Sequence, residues 1–154
     1  MRKWLKEDYS KIKKENQYES VERKIICEKY MSDKKGKLLD YKFFCFDGKP
    51  EFVKVDYDRF KNHRMNYYDL QWNLLNLKEG KYENYLEDKN KPDNLEEMIE
   101  VVTKLCKDFQ FVRVDIYNVD GKIYFGELTF TPASGKNKFL PIEEDIKIAK
   151  RIKI

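Results

Sequence analysis

Two stretches late in the chain set its pattern. From Phe111 to Val119, Val112, Val114 and Ile116 alternate with Arg113 and Asp115; from Lys122 to Pro132, Tyr124, Leu128 and Phe130 alternate with Glu127 and Thr129. A period of two belongs to strands with one buried and one solvated face, so the pattern predicts a β-hairpin turning at Val119-Asp120-Gly121. The turn decides which side chains meet, because a slip of one residue sends a strand's whole apolar set to the other face. A two-residue loop leaves Glu127 on the wrong face. A three-residue loop with Gly121 in the left-handed conformation pairs Asp115 with Phe125 and Arg113 with Glu127. That register puts Arg113, Asp115, Glu127 and Thr129 together, with Val112, Val114, Ile116, Tyr124, Leu128 and Phe130 opposite, and it is the expected one.

The same reading extends along the chain. Leu5, Tyr9 and Ile12 predict a weak surface helix over about Lys3 to Tyr18. Ile25 to Met31 is a short apolar run that reads as a buried strand, ended by a turn at Ser32 to Gly36. Asp40–Phe46, Asp47-Gly48 and Glu51–Val55 predict a second hairpin, with Asp40 and Lys42 on one face and Tyr41, Phe43 and Cys45 on the other. From Asp56 to Pro92 periodicity dissolves into what reads as a long loop, and ordered loops of that length are often functional. Asn94 with Glu97 resembles a capping box ahead of Leu95, Met98, Ile99, Val102, Leu105 and Phe109, whose spacing predicts an amphipathic helix to about Lys107. Ile142, Ile146, Ala149 and Ile152 predict a terminal helix on the same core. The expected fold is α+β, an antiparallel sheet with helices packed on one face, in a single domain over 1–154.

Composition changes this picture little. In 154 residues, 15% are aromatic and 39% charged, enough to order a domain with one core. The net charge of +4 is the small difference between 32 basic and 28 acidic side chains, which does not call for a nucleic-acid partner. No apolar run is long enough to span a membrane and no leader pattern appears. Cys27, Cys45 and Cys106, odd in number and set among apolar neighbours, read as reduced core residues of a cytoplasmic protein.

Candidate chemistry gathers on the late hairpin. Two carboxylates and a hydroxyl on neighbouring strands form an all-oxygen set, the kind preferred by Mg²⁺. The same spacing also suits a solvated face with an Arg113–Glu127 cross-strand pair, contributing less than about 1 kcal/mol. Lys42 reads either as a phosphate-neutralising cation or as an exposed strand lysine. In the loop region, Arg59, His63, Arg64, Asn66, Asp69 and Trp72 are candidates to line an acceptor site, and His63, the only histidine, invites an acid–base role.

Several segments together resemble TupA-like ATP-grasp proteins: Asp40-Tyr-Lys-Phe-Phe-Cys-Phe-Asp-Gly-Lys-Pro50, Asp58-Arg-Phe, Tyr68-Asp-Leu-Gln-Trp-Asn73, Phe111-Val-Arg-Val-Asp115 and Gly126-Glu-Leu-Thr-Phe-Thr-Pro132. The resemblance runs from about Trp4 to Asp145. Members of that family are associated with teichuronopeptide and capsular polysaccharide biosynthesis and are often described as glycosyltransferases. In ATP-grasp enzymes ATP lies between two α+β lobes, and its γ-phosphoryl activates a carboxylate as an acyl phosphate that an amine or other nucleophile attacks. The resemblance implies ATP and Mg²⁺ as cofactors, with Asp115 and Glu127 binding the metal and Thr129 standing where asparagine is usual. It implies that Arg113 balances charge on the transferring phosphoryl group. Lys42 corresponds to the basic residue of the phosphate-contacting strand, and Glu28, Lys29 and Met31 to the hinge that holds adenine.

The family's lysine-bearing strand and glycine-rich phosphate-covering loop lie upstream of that hinge, and this sequence shows neither. The expectation is therefore a C-terminal lobe, partial and not a competent ligase alone. The alternative is a catalytically inactive interaction module that docks on a full-length relative or on itself.

Overall fold

The structure is a computed structural model and describes residues 4–34, 36, 38–58, 62–80, 82–86 and 90–152. Its centre is a five-stranded antiparallel sheet in the order β3-β2-β1-β5-β6. The strands are β1 (Asp40–Phe46), β2 (Lys49–Tyr57), β3 (Arg64–Asp69), β5 (Phe111–Val119) and β6 (Lys122–Thr129), and a two-stranded ribbon pairs β4 (Lys78–Glu79) with β7 (Phe139–Leu140). Helices are α1 (Tyr9–Lys13), α2 (Leu95–Cys106) and α3 (Ile142–Ala149). The α+β class and the antiparallel sheet agree with the expectation.

Both faces of the sheet are covered, each by a different cluster. On one, Phe43, Val53, Val55, Val112, Val114 and Ile116 are fully buried against Leu95, Met98 and Val102 of α2. Each such side chain contributes about 1.5–3 kcal/mol relative to exposure. The other face carries Phe44, Phe46, Phe52, Met65, Tyr67 and Leu77 at one end, with Ile148 of α3 packed on them. The terminal helix thus joins the second cluster rather than the α2 core. Its Ile142 and Ile146 stay about half exposed, at 47% and 50%.

Local turn chemistry corrects the expected hairpin register. Asp47-Gly48 and Asp120-Gly121 both turn with left-handed φ at both residues (47° and 75°; 51° and 85°), the two-residue geometry that matches strand twist. Val119 therefore pairs with Lys122, and Ile116 with Phe125. A bulge then restores the polar face: Gly126 is the extra residue, and beyond it Asp115 pairs with Glu127 and Arg113 with Thr129. A Cβ at Gly126 would lie 2.9 Å from the Asp115 carbonyl oxygen, so the bulge needs glycine there. The four polar residues share a face as expected, but by the bulge and not by the loop. Tyr124, expected on the apolar side, sits opposite Tyr117 on the polar face.

Other expectations are also revised. Ile25 to Met31 forms no strand; Ile26 and Tyr30 are 80% and 87% exposed, and Cys27 is exposed as well. Cys45 and Cys106 are the buried thiols. The segment read as a loop contains β3 and β4. Asn94 does not cap α2 with its side chain; its Nδ2 donates to the Gly121 carbonyl and its Oδ1 accepts from Asn118, which ties the helix start to the β5–β6 turn. The N-terminal helix is shorter than expected, with α1 flanked by 3-10 turns at Trp4–Lys6 and Asn16–Tyr18.

Candidate functional site

One row of the sheet holds most of the candidate chemistry. Directly opposed across the five strands lie Tyr67, Lys54, Lys42, Asp115 and Glu127. The flanking rows add Asp40 and Asp56 on one side and Arg113 and Thr129 on the other. These side chains face away from α2, and all but Tyr67, which belongs to the second cluster, and Thr129 line a cavity of about 640 Å³ together with Glu28, His63 and Asn137.

Lys42 is the hub. Its ammonium donates to Asp40 Oδ2 at 2.5 Å and to Asp115 Oδ2 at 2.7 Å, and Asp56 Oδ2 lies 3.9 Å away. All four side chains are less than a tenth exposed. Burial works against the charge on Lys42, but Asp115 and Asp40 outweigh it and hold its pKa above the usual lysine value. Burial also dominates at Asp40 and raises its pKa despite Lys42. Lys42 is thus no ordinary exposed strand lysine.

Arg113 grips the other side of Asp115. Nε donates to Oδ1 and Nη2 to Oδ2, both at 2.7 Å, a bidentate pairing of the stronger kind. The same Nη2 reaches Thr129 Oγ1 at 3.0 Å and Glu127 Oε1 at 3.2 Å, and Thr129 itself donates to Glu127 Oε1 at 3.0 Å. Burial opposes the guanidinium charge, yet Asp115 and then Glu127 raise its pKa further. Glu127 is 64% exposed and Asp115 only 2%, so one carboxylate is open to solvent while the other is enclosed by cations.

Asp115, Glu127 and Thr129 offer only hard oxygen donors, which fits Mg²⁺ by donor chemistry. Among the described residues no three carboxylate, histidine or cysteine side chains are gathered for a metal. The guanidinium of Arg113 bridges these three oxygens-bearing groups instead.

A second polar cluster extends the row past β2. Lys54 Nζ and the Tyr67 hydroxyl donate to Glu79 Oε2 at 2.9 and 2.7 Å, and Asn137 Nδ2 donates to Glu79 Oε1. Burial works to raise the Glu79 pKa, but Lys54 and the hydrogen bonds from Tyr67 and Asn137 outweigh it and lower it below the usual value. This cluster fastens the β4–β7 side of the molecule to the sheet. His63 lies at the cavity edge, its Nε2 2.9 Å from Asp56 Oδ1 and its ring 4.6 Å from that of Tyr82.

The remaining candidates are placed as follows. Glu28 lines the cavity from the segment of residues 25–31; Lys29 is exposed and Met31 half-buried on the same segment. Asp69 does not line it: its carboxylate accepts from the backbone of Gln71 and Asn73 and from the Asn73 side chain, holding the turn after β3. Trp72 stacks on Tyr68 at 4.3 Å on the α2 side, and Asn66 hydrogen-bonds the Tyr85 backbone in both directions. Arg64 lies over the Tyr85 ring, and Arg59 falls outside the described residues. The sequence reading missed Asp56, Lys54, Glu79, Tyr67 and Asn137. Extending the two-residue period along Phe52 to Asp56 would have placed Lys54 and Asp56 beside Lys42; no local signal marks Glu79 or Asn137.

An antiparallel sheet lined on one face by a lysine, an arginine and paired carboxylates is consistent with a lobe of the ATP-grasp class. The chain belongs to the TupA-like ATP-grasp family, whose family model matches residues 1–153. Searches of curated proteins and of solved structures returned no match. ATP-grasp proteins generally bind ATP and Mg²⁺, and no helix among the described residues is long and apolar enough to cross a membrane.

Proposed function

We propose that this chain supplies the metal and phosphate side of a Mg·ATP site in a carboxylate–amine-ligase-like protein of cell-surface polysaccharide biosynthesis, acting in the cytoplasm. The observation that carries the reading is the single row Lys42–Asp115–Glu127, flanked by Arg113 and opening on one cavity. A bound Mg²⁺ supplies charge neutralisation and alignment of the phosphates. Asp115 and Glu127 hold it, with the Thr129 hydroxyl as a third oxygen. Arg113 and Lys42 pair with phosphoryl oxygens, the preorganised electrostatics that phosphoryl transfer mainly requires. Glu28, with Lys29 and Met31 on the same segment, serves the adenine end. His63, oriented by Asp56, faces the acceptor. A glycine-rich phosphate cover comes from another lobe, so the chain alone binds nucleotide without turning it over.

Calorimetric titration of ATP into the chain with and without Mg²⁺ tests this reading. Binding that requires Mg²⁺, without ADP formation, is the expected result; no heat at millimolar ATP contradicts it. A second reading, an inactive module docking on a full-length relative or on itself, is favoured by the exposure of Ile26, at the cavity, and of Tyr30 on the same segment. Concentration-dependent self-association in sedimentation, together with silence toward nucleotide, would put it ahead.

A further inference from the structure

The cation expected between Asp115 and Glu127 has a rival within the chain. Arg113 Nε and Nη2 take both oxygens of Asp115, and Nη2 also contacts Glu127 Oε1 and Thr129 Oγ1. Every group assigned to hold the metal is thus already bridged by one planar cation. Lys42 adds a second cation on Asp115 Oδ2. A divalent ion approaching this face meets two fixed positive charges, and Asp115 has no oxygen without a cation bound to it. Hard cations shed water only for a site that repays the cost, and this one does not while Arg113 stays in place.

Charge on the same face shows what releases it. Asp40, Asp56, Asp115 and Glu127 already outnumber Lys42 and Arg113 on this face, so moving Arg113 away widens the excess of negative charge around Asp115 and Glu127. A guanidinium pairs with phosphate by the same bidentate geometry it uses with carboxylate. A polyphosphate in the cavity therefore competes for Arg113, and its departure uncovers the oxygens of Asp115, Glu127 and Thr129.

We infer that Arg113 is the built-in counter-ion of the cation site, and that the site opens to a divalent metal only when a polyphosphate draws Arg113 away. The inference rests on the Mg·ATP reading above and adds an order to it: phosphate contact with Arg113 is the condition for metal contact with Asp115 and Glu127. Arg113 is here a gate on the metal site, separate from any charge it balances in transfer.

The test uses Mn²⁺ alone as the probe, with free Mn²⁺ measured by electron paramagnetic resonance. The wild-type chain is expected to bind Mn²⁺ weakly, and Arg113→Met at least about tenfold more tightly, because an opposing charge has been removed beside two carboxylates. Arg113→Met/Glu127→Gln is expected to lose that gain. Equal binding by wild type and Arg113→Met, whether strong or absent in both, overturns the inference. If Arg113→Met does not fold, the wild type still decides the matter through the Arg113 Nε–H signal in ¹H–¹⁵N spectra. Mg²⁺ alone is expected to leave that signal in place and Mg·ATP to shift it; a shift with Mg²⁺ alone overturns the inference. Failure of the Mg·ATP reading is read separately, as absence of any Mg·ATP binding in the calorimetric titration.

Discussion

The two faces of the central sheet are built from the same strands and solve opposite problems. Toward α2 the strands present Phe43, Val53, Val55, Val112, Val114 and Ile116, all at 0% exposure, and burial pushes up the Cys45 and Cys106 thiols packed with them. Toward the cavity the alternate residues present Asp40, Lys42, Lys54, Asp56 and Asp115, nearly as buried but charged. One face is stabilised by removing apolar area from water. The other must offset desolvation with exact ion pairing, which is weak as a source of stability but strongly destabilising when one partner is lost. A protein that only needed to fold would gain by making both faces apolar, so the charged face is where function belongs.

Breaking each face separates them. Phe43→Ala should cost about 3–5 kcal/mol in urea unfolding, through lost transfer energy and the cavity left behind, and that loss should not vary with pH. Lys42→Met should cost a similar amount, about 3–5 kcal/mol at neutral pH, because Asp40 and Asp115 stay buried without their shared ammonium. Its pH dependence is the distinguishing feature. Asp40 already has a raised pKa in the folded protein, so its contribution to stability is present below its unfolded value and is lost as pH rises through the folded one. The Lys42→Met penalty should therefore shrink as pH falls from neutrality toward about 4. A penalty as flat with pH as that of Phe43→Ala would erase the comparison.

Gly126→Ala should cost less, about 1–3 kcal/mol, from the clash of its Cβ with the Asp115 carbonyl. It should also move Glu127 relative to Asp115, so a fully folded variant with normal Mg·ATP binding would show that the bulge does not set the site. Smaller still is the acid response of the Lys54–Glu79 pair. Glu79 has a lowered pKa, so its stabilisation is present above the unfolded value, about 4.3, and is lost as pH falls through the lower folded value. Glu79→Gln should flatten that part of the acid unfolding curve, and an unchanged curve would remove the cluster from the charged face's stability.

The sequence made the apolar face easy to read and the charged face only half so. Strands β1, β2 and β5 and helix α2 are legible because one side of each meets the buried core; β6 has no fully buried residue, and its bulge shifts the period. Strand β3 shows none: Tyr67 and Tyr68 are both buried, on opposite faces, and Asn66 is buried because it hydrogen-bonds the Tyr85 backbone. Ile25 to Met31 misled in the other direction, since an apolar run carries no record of whether anything covers it. At the site, Arg113, Asp115, Glu127 and Thr129 were legible as one face, although the reason was the Gly126 bulge and not the loop. Lys54 and Asp56 lie on the same face by the two-residue period, but Glu79 was not legible, because a buried charge is recognisable only by its partner. For Glu79 that partner, Lys54, is distant in sequence.

The central claim is that Asp115 and Glu127 belong to a Mg·ATP site, and Glu127 offers the cleanest test because it is 64% exposed and removing its charge should alter stability by no more than about 0.5 kcal/mol. The measurement is thermal unfolding of wild type and Glu127→Gln with and without Mg·ATP. At about 100 times Kd the ligand should stabilise the wild type by roughly 2.7 kcal/mol, a rise of several degrees in Tm. Glu127→Gln should match the wild type without ligand and show no rise with it. An equal rise in both, or none in the wild type at millimolar nucleotide, would contradict the account.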